Sequence, residues 1–300
     1  MPRSRCILNG QPDAGATSVG LPGYSTAAIL LWLSHTSFAL RSLPIDVRAY
    51  NRAAWNKKVA DGNRWTVPVS TDELRDARAG EFTLLLTPTK PVPGNWWPPL
   101  AGLRALCLAS GGGQQGPLLA AAGATVTVFD NSPAQLAQDR AVAEREGLQL
   151  RTVEGDMADL STFAEGSFDL IVHPCSNCFV PDVHPVWREC FRVLSQGGSL
   201  LAGFVNPLRY LFDEDGSPLI VRHAIPYADC SSLNADEFSA RILSQLEPAE
   251  FGHSLADLIG GQLEAGFVLR DFFEDRYAGE IGDPLSRHID SFIATRAIKP

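Results

Sequence analysis

The sequence predicts an α/β protein with a mostly parallel sheet, and three observations carry that reading. Residues Leu103 to Pro133 run from an apolar segment, Leu106 to Ala109, through Gly111-Gly112-Gly113 and a small-residue helical stretch. They end in a second apolar segment, Thr125 to Phe129, closed by Asp130. Short apolar runs then recur downstream with helix-patterned segments between them, the signature of alternating strand and helix. The last two runs, Phe267 to Phe273 and Phe292 to Arg296, have no helical segment between them. A parallel crossover needs one, so this pair is expected to be antiparallel.

The chain has 300 residues, which suits one large domain or a domain with an extension. Residues 1–43 read as a leader of low information, residues 44–99 as an N-terminal cap or lid, and residues 100–300 as the main domain. Within the cap, Tyr50 to Asp61 has helix composition. Ser70 and Glu73 form a capping box for a short helix that stops at Gly80. Phe82 to Leu86 is expected to be a strand. Thr87 to Pro99 holds five prolines and cannot be regular structure.

In the main domain the expected strands are Ala105 to Ala109, Thr125 to Phe129, Leu150 to Glu154, Phe168 to Val172 and Leu200 to Val205. Ser132 caps the helix after the second strand, with Pro133 at its first position and Gln135 completing the box; Gly147 stops it. Val183 to Leu194 buries Val186, Cys190, Val193 and Leu194 at helical spacing. A hairpin is expected around Asp215-Gly216. Helices are expected over Asn234 to Leu246 and Leu255 to Ala265, the second closed by Gly266.

The net charge of −9 argues against general nucleic-acid binding, which usually needs a basic face. Six cysteines lie scattered, two of them (Cys107 and Cys190) inside apolar or helical patterns, so a disulfide framework is not expected and a cytoplasmic location is. Ala27 to Leu40 is too short and too interrupted to span a bilayer, so no membrane association is expected. No Walker lysine motif, Gly-x-Ser-x-Gly elbow or His-Glu-x-x-His occurs. Cys175-x-x-Cys178 with His173 and His184 could in principle bind zinc. It lacks a second cysteine pair, and His184 would have to be brought back by the following helix, so no metal is expected.

The glycine cluster is a cradle for a nucleoside: glycines let the backbone approach the ligand, and a strand-end acid accepts from ribose hydroxyls. Gly111-x-Gly113-x-x-Gly116 with Asp130 also satisfies the dinucleotide fingerprint, so an NAD-dependent oxidoreductase is one alternative and a non-catalytic nucleoside-binding protein another. Three further features point elsewhere: the third strand ends in Glu154-Gly155-Asp156-Met157, the fourth is followed by the polar turn His173 to Asn177, and the fifth follows Gly197-Gly198. With the antiparallel close, residues 103–299 resemble the class I S-adenosylmethionine-dependent methyltransferases. The cap is similar to that of a bacterial subgroup of this family.

That resemblance implies a Rossmann-like seven-stranded sheet of order 3-2-1-4-5-7-6 with the last strand antiparallel, and residues 206–253 inserted over the acceptor side. It implies S-adenosylmethionine as cofactor, with Ala109, Gly111 and Gly113 under the methionine portion, Asp130 with Asn131 at the ribose, and Asp156 and Met157 at adenine. The segment His173 to Cys178 would line the face where the methyl group moves. There His173 would act as general base and Asn177 would orient a small-molecule acceptor. Trp65, Trp96, Trp97 and Phe179 are candidates to face the sulfonium. One departure stands out: Cys107 occupies the position of the family's acid, and Ala109 that of its first glycine.

Overall fold

The computed structural model describes residues 46–213, 218–279 and 283–300, all within one compact unit. The leader and the expected hairpin at Asp215-Gly216 lie outside the described residues. The strands of the large sheet are β1 (Arg104–Leu108), β2 (Thr125–Asp130), β3 (Leu150–Glu154), β4 (Phe168–His173) and β5 (Leu194–Val205). A two-stranded ribbon, β6 (Tyr227–Ala228) with β7 (Phe251–Gly252), comes next, and β8 (Val268–Asp275) and β9 (Phe292–Ile298) close the large sheet. The large sheet runs β3-β2-β1-β4-β5-β9-β8. Counting only its own strands, that is the expected 3-2-1-4-5-7-6. The first five strands are parallel, and β9 is antiparallel to both β5 and β8.

The central strands β1, β4 and β5 carry apolar runs because both faces of the sheet are covered there. Leu106 and Leu108 face one core together with Phe129, Ile171, Phe204 and Trp187. Their neighbours Ala105 and Cys107 face the other, with Val126, Val128, Leu136 and Trp96. The period-two alternation thus divides one strand between two cores.

Helices α1 (Val47–Ala60) and α2 (Thr71–Arg78) belong to the cap, and the Ser70–Glu73 capping box is made in both directions. After β1 come α3 (Gln115–Ala121) and, past β2, α4 (Pro133–Glu146). In α4 the Ser132 hydroxyl accepts from Gln135 N–H, and Gly147 ends the helix at φ 66°. Helix α5 (His184–Val193) buries Val186, Trp187, Cys190 and Val193 against the sheet.

Three elements differ from expectation. Phe82 to Leu86 pairs with no strand beyond an isolated bridge from Leu85 to Pro91. Its carbonyls go instead to Val92 N–H (from Leu84) and Cys175 N–H (from Leu86). It crosses β5 so closely that a Cβ on Gly203 would sit 2.2 Å from the Leu86 carbonyl oxygen. After a short α6 (Asp229–Ser232), the helix expected over Asn234 to Leu246 is only α7 (Ala235–Phe238) followed by a π-turn over Ser239–Leu243. The helix expected from Leu255 begins as a π-turn, Ala256–Gly260, and continues as α8 (Gly261–Glu264). The Trp187 indole N–H donates to the Asp257 carbonyl at 2.9 Å, within that widened turn. No helix of the described residues is long and apolar enough to cross a membrane.

Candidate active site

Everything in the site hangs from the turn after β1. The parallel ladder continues one residue past the strand, with Ala109 N–H donating to the Phe129 carbonyl at 2.7 Å. The chain then reverses through positive φ: 47° at Ala109, 128° at Gly112 and 76° at Gly113. Alanine in the left-handed region costs about 1 kcal/mol relative to glycine, so Ala109 makes this turn at some strain. Gly111 has no room for a side chain. A Cβ there would fall 2.8 Å from Gln135 Cβ and 3.2 Å from Asp130 Cβ and Cγ.

Asp130, at the end of β2, spends one oxygen on each side of this turn. Oδ2 accepts from Gly111 N–H at 2.9 Å and Oδ1 from Ser132 N–H at 2.8 Å. A carboxylate has about four acceptor sites, so acceptor capacity remains for a ligand's hydroxyl. Burial pushes the Asp130 pKa up, and the backbone N–H groups of Ser132, Gly111 and Asn131 oppose that rise.

After β3, Gly155 is demanded by Phe129, whose Cζ would lie 2.1 Å from a Cβ at this position. Asp156 follows, its Oδ1 accepting from Ala158 N–H at 3.0 Å, and Met157 packs beside it. Asp130, Asn131, Asp156, Met157, Ala109 and Gly111 all line one cavity of about 700 Å³. Gly113 does not line it. Its carbonyl accepts from Val69 N–H at 2.9 Å and its Cα faces Pro68, so this glycine seats the cap.

The N-terminal segment meets the same rim. Asn131 Nδ2 donates to the Arg48 carbonyl at 2.9 Å, Ser132 Oγ to Asn56 Oδ1 at 2.7 Å, and Arg52 pairs with Glu154 at 3.2 Å. Trp65 and Phe179 are on the cavity wall, with Trp55 edge-on to Phe179 at 5.2 Å between centroids. Trp96 and Trp97 are not. They pack in the core on the far face, against Phe273 and Phe82.

The two expected catalytic side chains also stand behind the wall rather than on it. His173 is fully buried, and its Nδ1–H donates to the Leu108 carbonyl at 3.0 Å. Nε2 has no partner, and burial holds the imidazole pKa down at about 4, so the ring is neutral. Asn177 donates from Nδ2 to the Gly203 carbonyl at 2.9 Å and pins the turn to β5. What reaches the cavity from this segment is Pro174, Cys175, Ser176 and Cys178. Burial pushes both thiol pKa values far up, so both are neutral. His184 turns away to Asp182 at 2.9 Å. Among the described residues no three His, Cys, Asp or Glu side chains come together as a metal site.

The structure adds residues that the sequence did not single out. At the far end of the cavity stand Glu250 and Tyr277, beside Val205 of β5 and Phe292 of β9. Tyr210 Oη donates to Glu250 Oε2 at 2.8 Å, and burial pushes the Tyr277 phenol up to about 12. No local motif marks these residues, since they come from the insertion and from the end of β8. Beneath the glycine turn lies Asp139 of α4, fully buried. Its only sequence signal is an acid on the helix face that also carries Leu136 and Val142.

The residues present fit a nucleoside with an amino-acid tail. Asp130 keeps acceptor capacity at one end, Gly111 leaves the turn open, and Gln135 Oε1 is buried beside the turn with no partner.

A family model described as a methyltransferase domain matches residues 106–202. An uncharacterized methyltransferase of Bacillus subtilis, YbaJ, is 51% identical over 84% of this chain and 98% of its own length. The fold is shared with an S-adenosylmethionine-dependent methyltransferase of Mesorhizobium loti (TM-score 0.52, 19% identity, 68% of this chain and 94% of that one). It is shared also with one from Methanosarcina mazei (TM-score 0.53, 19% identity, 71% and 98%). The chain belongs to the class I S-adenosylmethionine-dependent methyltransferases, enzymes whose cofactor is S-adenosylmethionine. Nothing among these findings supports the oxidoreductase alternative.

Proposed function

We propose that the enzyme methylates a small molecule enclosed between the cap and the sheet. The observation that carries this is that one continuous cavity is lined both by Asp130 and Asp156 after β2 and β3 and by Glu250 and Tyr277. A volume near 700 Å³ suits a cofactor and a small acceptor together.

In this reading Asp130 takes the ribose hydroxyls, with Asn131 beside it, and Asp156 and the Met157 backbone take adenine. The turn from Ala109 to Gly111 and Gln135 receives the amino-acid end. Gly113 serves indirectly, by seating the cap. When bound, S-adenosylmethionine supplies an activated methyl group on a sulfonium centre. Trp65 and Phe179 line the cavity and would be the rings near that cation.

His173 is a structural group in this proposal. A neutral ring with its only donor on the Leu108 carbonyl holds β4 to β1 and does not meet an acceptor. Asn177 likewise sets the wall through Gly203. Glu250 and Tyr277 are the groups that face the acceptor, under residues 206–253. The neutral thiols of Cys107, Cys175, Cys178 and Cys190 suit a reducing, cytoplasmic setting.

The test separates acceptor classes. Release of S-adenosylhomocysteine by the purified protein would be measured with the low-mass and macromolecular fractions of a cell extract. Stimulation by the low-mass fraction is expected. Stimulation confined to the macromolecular fraction would overturn the reading.

A further inference from the structure

We propose that Asp139 is the positioning residue of the glycine turn, its carboxylate reaching up from α4 to hold the backbone that receives the cofactor. Three observations carry this. Oδ2 of Asp139 accepts from Gly112 N–H at 3.0 Å. Its side chain is fully buried, and Oδ1 has no partner although it lies in the packed interface with α3; a Cβ on Gly116 would be 3.3 Å from it. The position from which β1 could have supplied an acid holds Cys107, whose thiol burial keeps neutral.

The glycine amides are thus divided between two carboxylates from two elements. Asp130 of β2 takes Gly111, and Asp139 of α4 takes Gly112 from the other side. Gly112 and Gly113 have positive φ, a conformation that glycine permits but does not impose. Something must select it, and a charge-assisted bond to a buried carboxylate does so. Burial alone would favour an apolar or amide side chain at this place in α4. The acid is therefore there for what it does to the turn.

The device depends on pH. Burial pushes the Asp139 carboxyl up to about 7, opposed by the amides of Gly112 and Gly113 and reinforced by the negative charge of Asp130. The titratable groups facing it are Asp130 from β2 and Cys107 from β1. As pH rises through 7 the carboxylate ionises and becomes the stronger acceptor for Gly112 N–H, so a local opening of the turn that leaves Asp139 buried becomes harder, even though a buried charge lowers the stability of the fold as a whole.

This inference rests on the cofactor reading, but its main test needs no cofactor. Amide hydrogen exchange would be followed at Gly112 in the cofactor-free protein between pH 5.5 and 8, as protection factors corrected for intrinsic exchange. In the wild type, protection is expected to rise about tenfold across pH 7. In Asp139→Asn it is expected to be low and flat with pH, and S-adenosylhomocysteine affinity at pH 8 to fall about tenfold, while the wild type loses a similar factor on going to pH 6. Should Asp139→Asn not fold, the wild-type pH series decides alone. Protection at Gly112 that does not change with pH, or an Asp139→Asn variant with wild-type protection and pH dependence, would overturn the proposal. A wild type that binds no S-adenosylhomocysteine at any pH would instead overturn the cofactor reading.

Discussion

Replacing Asp130 by asparagine should do at least as much harm as replacing it by alanine, although asparagine keeps the shape. In the native site both carboxylate oxygens face backbone donors, Gly111 N–H at 2.9 Å and Ser132 N–H at 2.8 Å. An amide has one oxygen and one NH₂, so in either flip a donor meets a donor. Each hydrogen bond to a charged group contributes about 1.5–3 kcal/mol, and leaving a buried N–H unpaired costs about 1–3 kcal/mol. These overlap, and asparagine is spared the cost of burying a charge, so a net loss of about 2 kcal/mol is reasonable. For a domain of this size that corresponds to about 4–8 °C in melting temperature. Alanine removes the acceptors without adding a donor and leaves room for water from the adjoining cavity. S-adenosylhomocysteine affinity, measured by calorimetry at pH 8, should fall about 10- to 100-fold in both variants, because the ribose acceptors and the Gly111 anchor go together. An Asp130→Asn variant within threefold of wild type, beside a strongly weakened Asp130→Ala, would show that shape and not charge holds the turn, and the reasoning would fail.

Four further outcomes follow from the same geometry. Gly155→Ala forces a methyl group onto the buried Phe129 ring, so urea unfolding should show a loss of about 2 kcal/mol and calorimetry about tenfold weaker S-adenosylhomocysteine binding through the displaced Asp156. Asp139→Asn should be more stable than wild type at pH 8 by about 1–3 kcal/mol. Between pH 4 and 7 the native Asp139 keeps a proton that the unfolded chain has lost, so wild-type stability falls as pH rises across that window; an advantage of equal size at pH 4.5 would contradict this. The His173 ring should remain neutral at pH 5 by NMR. With its pKa down at about 4, it contributes stability above pH 6.5 that is lost as pH falls toward 4, and a midpoint near 6.5 would mean that the ring is open to water. Asn51→Ala should cost about 2 kcal/mol in denaturant unfolding, since it strands the Ala249 N–H and the carbonyls of Ala249 and Phe179.

The parts of the fold that were legible in the sequence are those governed by local chemistry. Strands buried on both faces read as apolar runs, and the Ser70 and Ser132 caps are short-range hydrogen bonds. The end of the sheet is antiparallel because no helix intervenes. Phe82 to Leu86 read as a strand because its composition is that of one. What it does instead depends on Gly203, more than a hundred residues away, which lets its backbone lie across β5. The site divides in the same way. Asp130, Gly111, Asp156 and Met157, which stand in turns that announce themselves, come together on one cavity. His173 and Asn177 sit in the expected turn but point into the protein, and the direction of a side chain after a strand is set by packing, here against Trp187 and Gly203. Asp139 was invisible because one acid within a helix looks like any solvated residue until its face is known.

The cap completes the argument, because one helix joins every part of the site. Along α1, Arg48, Arg52, Trp55 and Asn56 recur at helical spacing on the face toward the sheet, and they meet Asn131, Glu154, Phe179 and Ser132 in turn. Asn51, buried on the same helix, bonds both Phe179 of the β4 turn and Ala249 next to Glu250. On the proposed function, the ribose rim, the methyl-transfer wall and the acceptor side would therefore share one helix. Methyl transfer needs alignment above all, since donor and acceptor must meet in line and a small misplacement is costly. A helix with its contacts spread over three consecutive turns is stiff enough to impose that alignment. On the proposed function this is how the chain would do without a base at His173: its residues would supply geometry and dryness, and the chemistry of activation would belong to the cofactor.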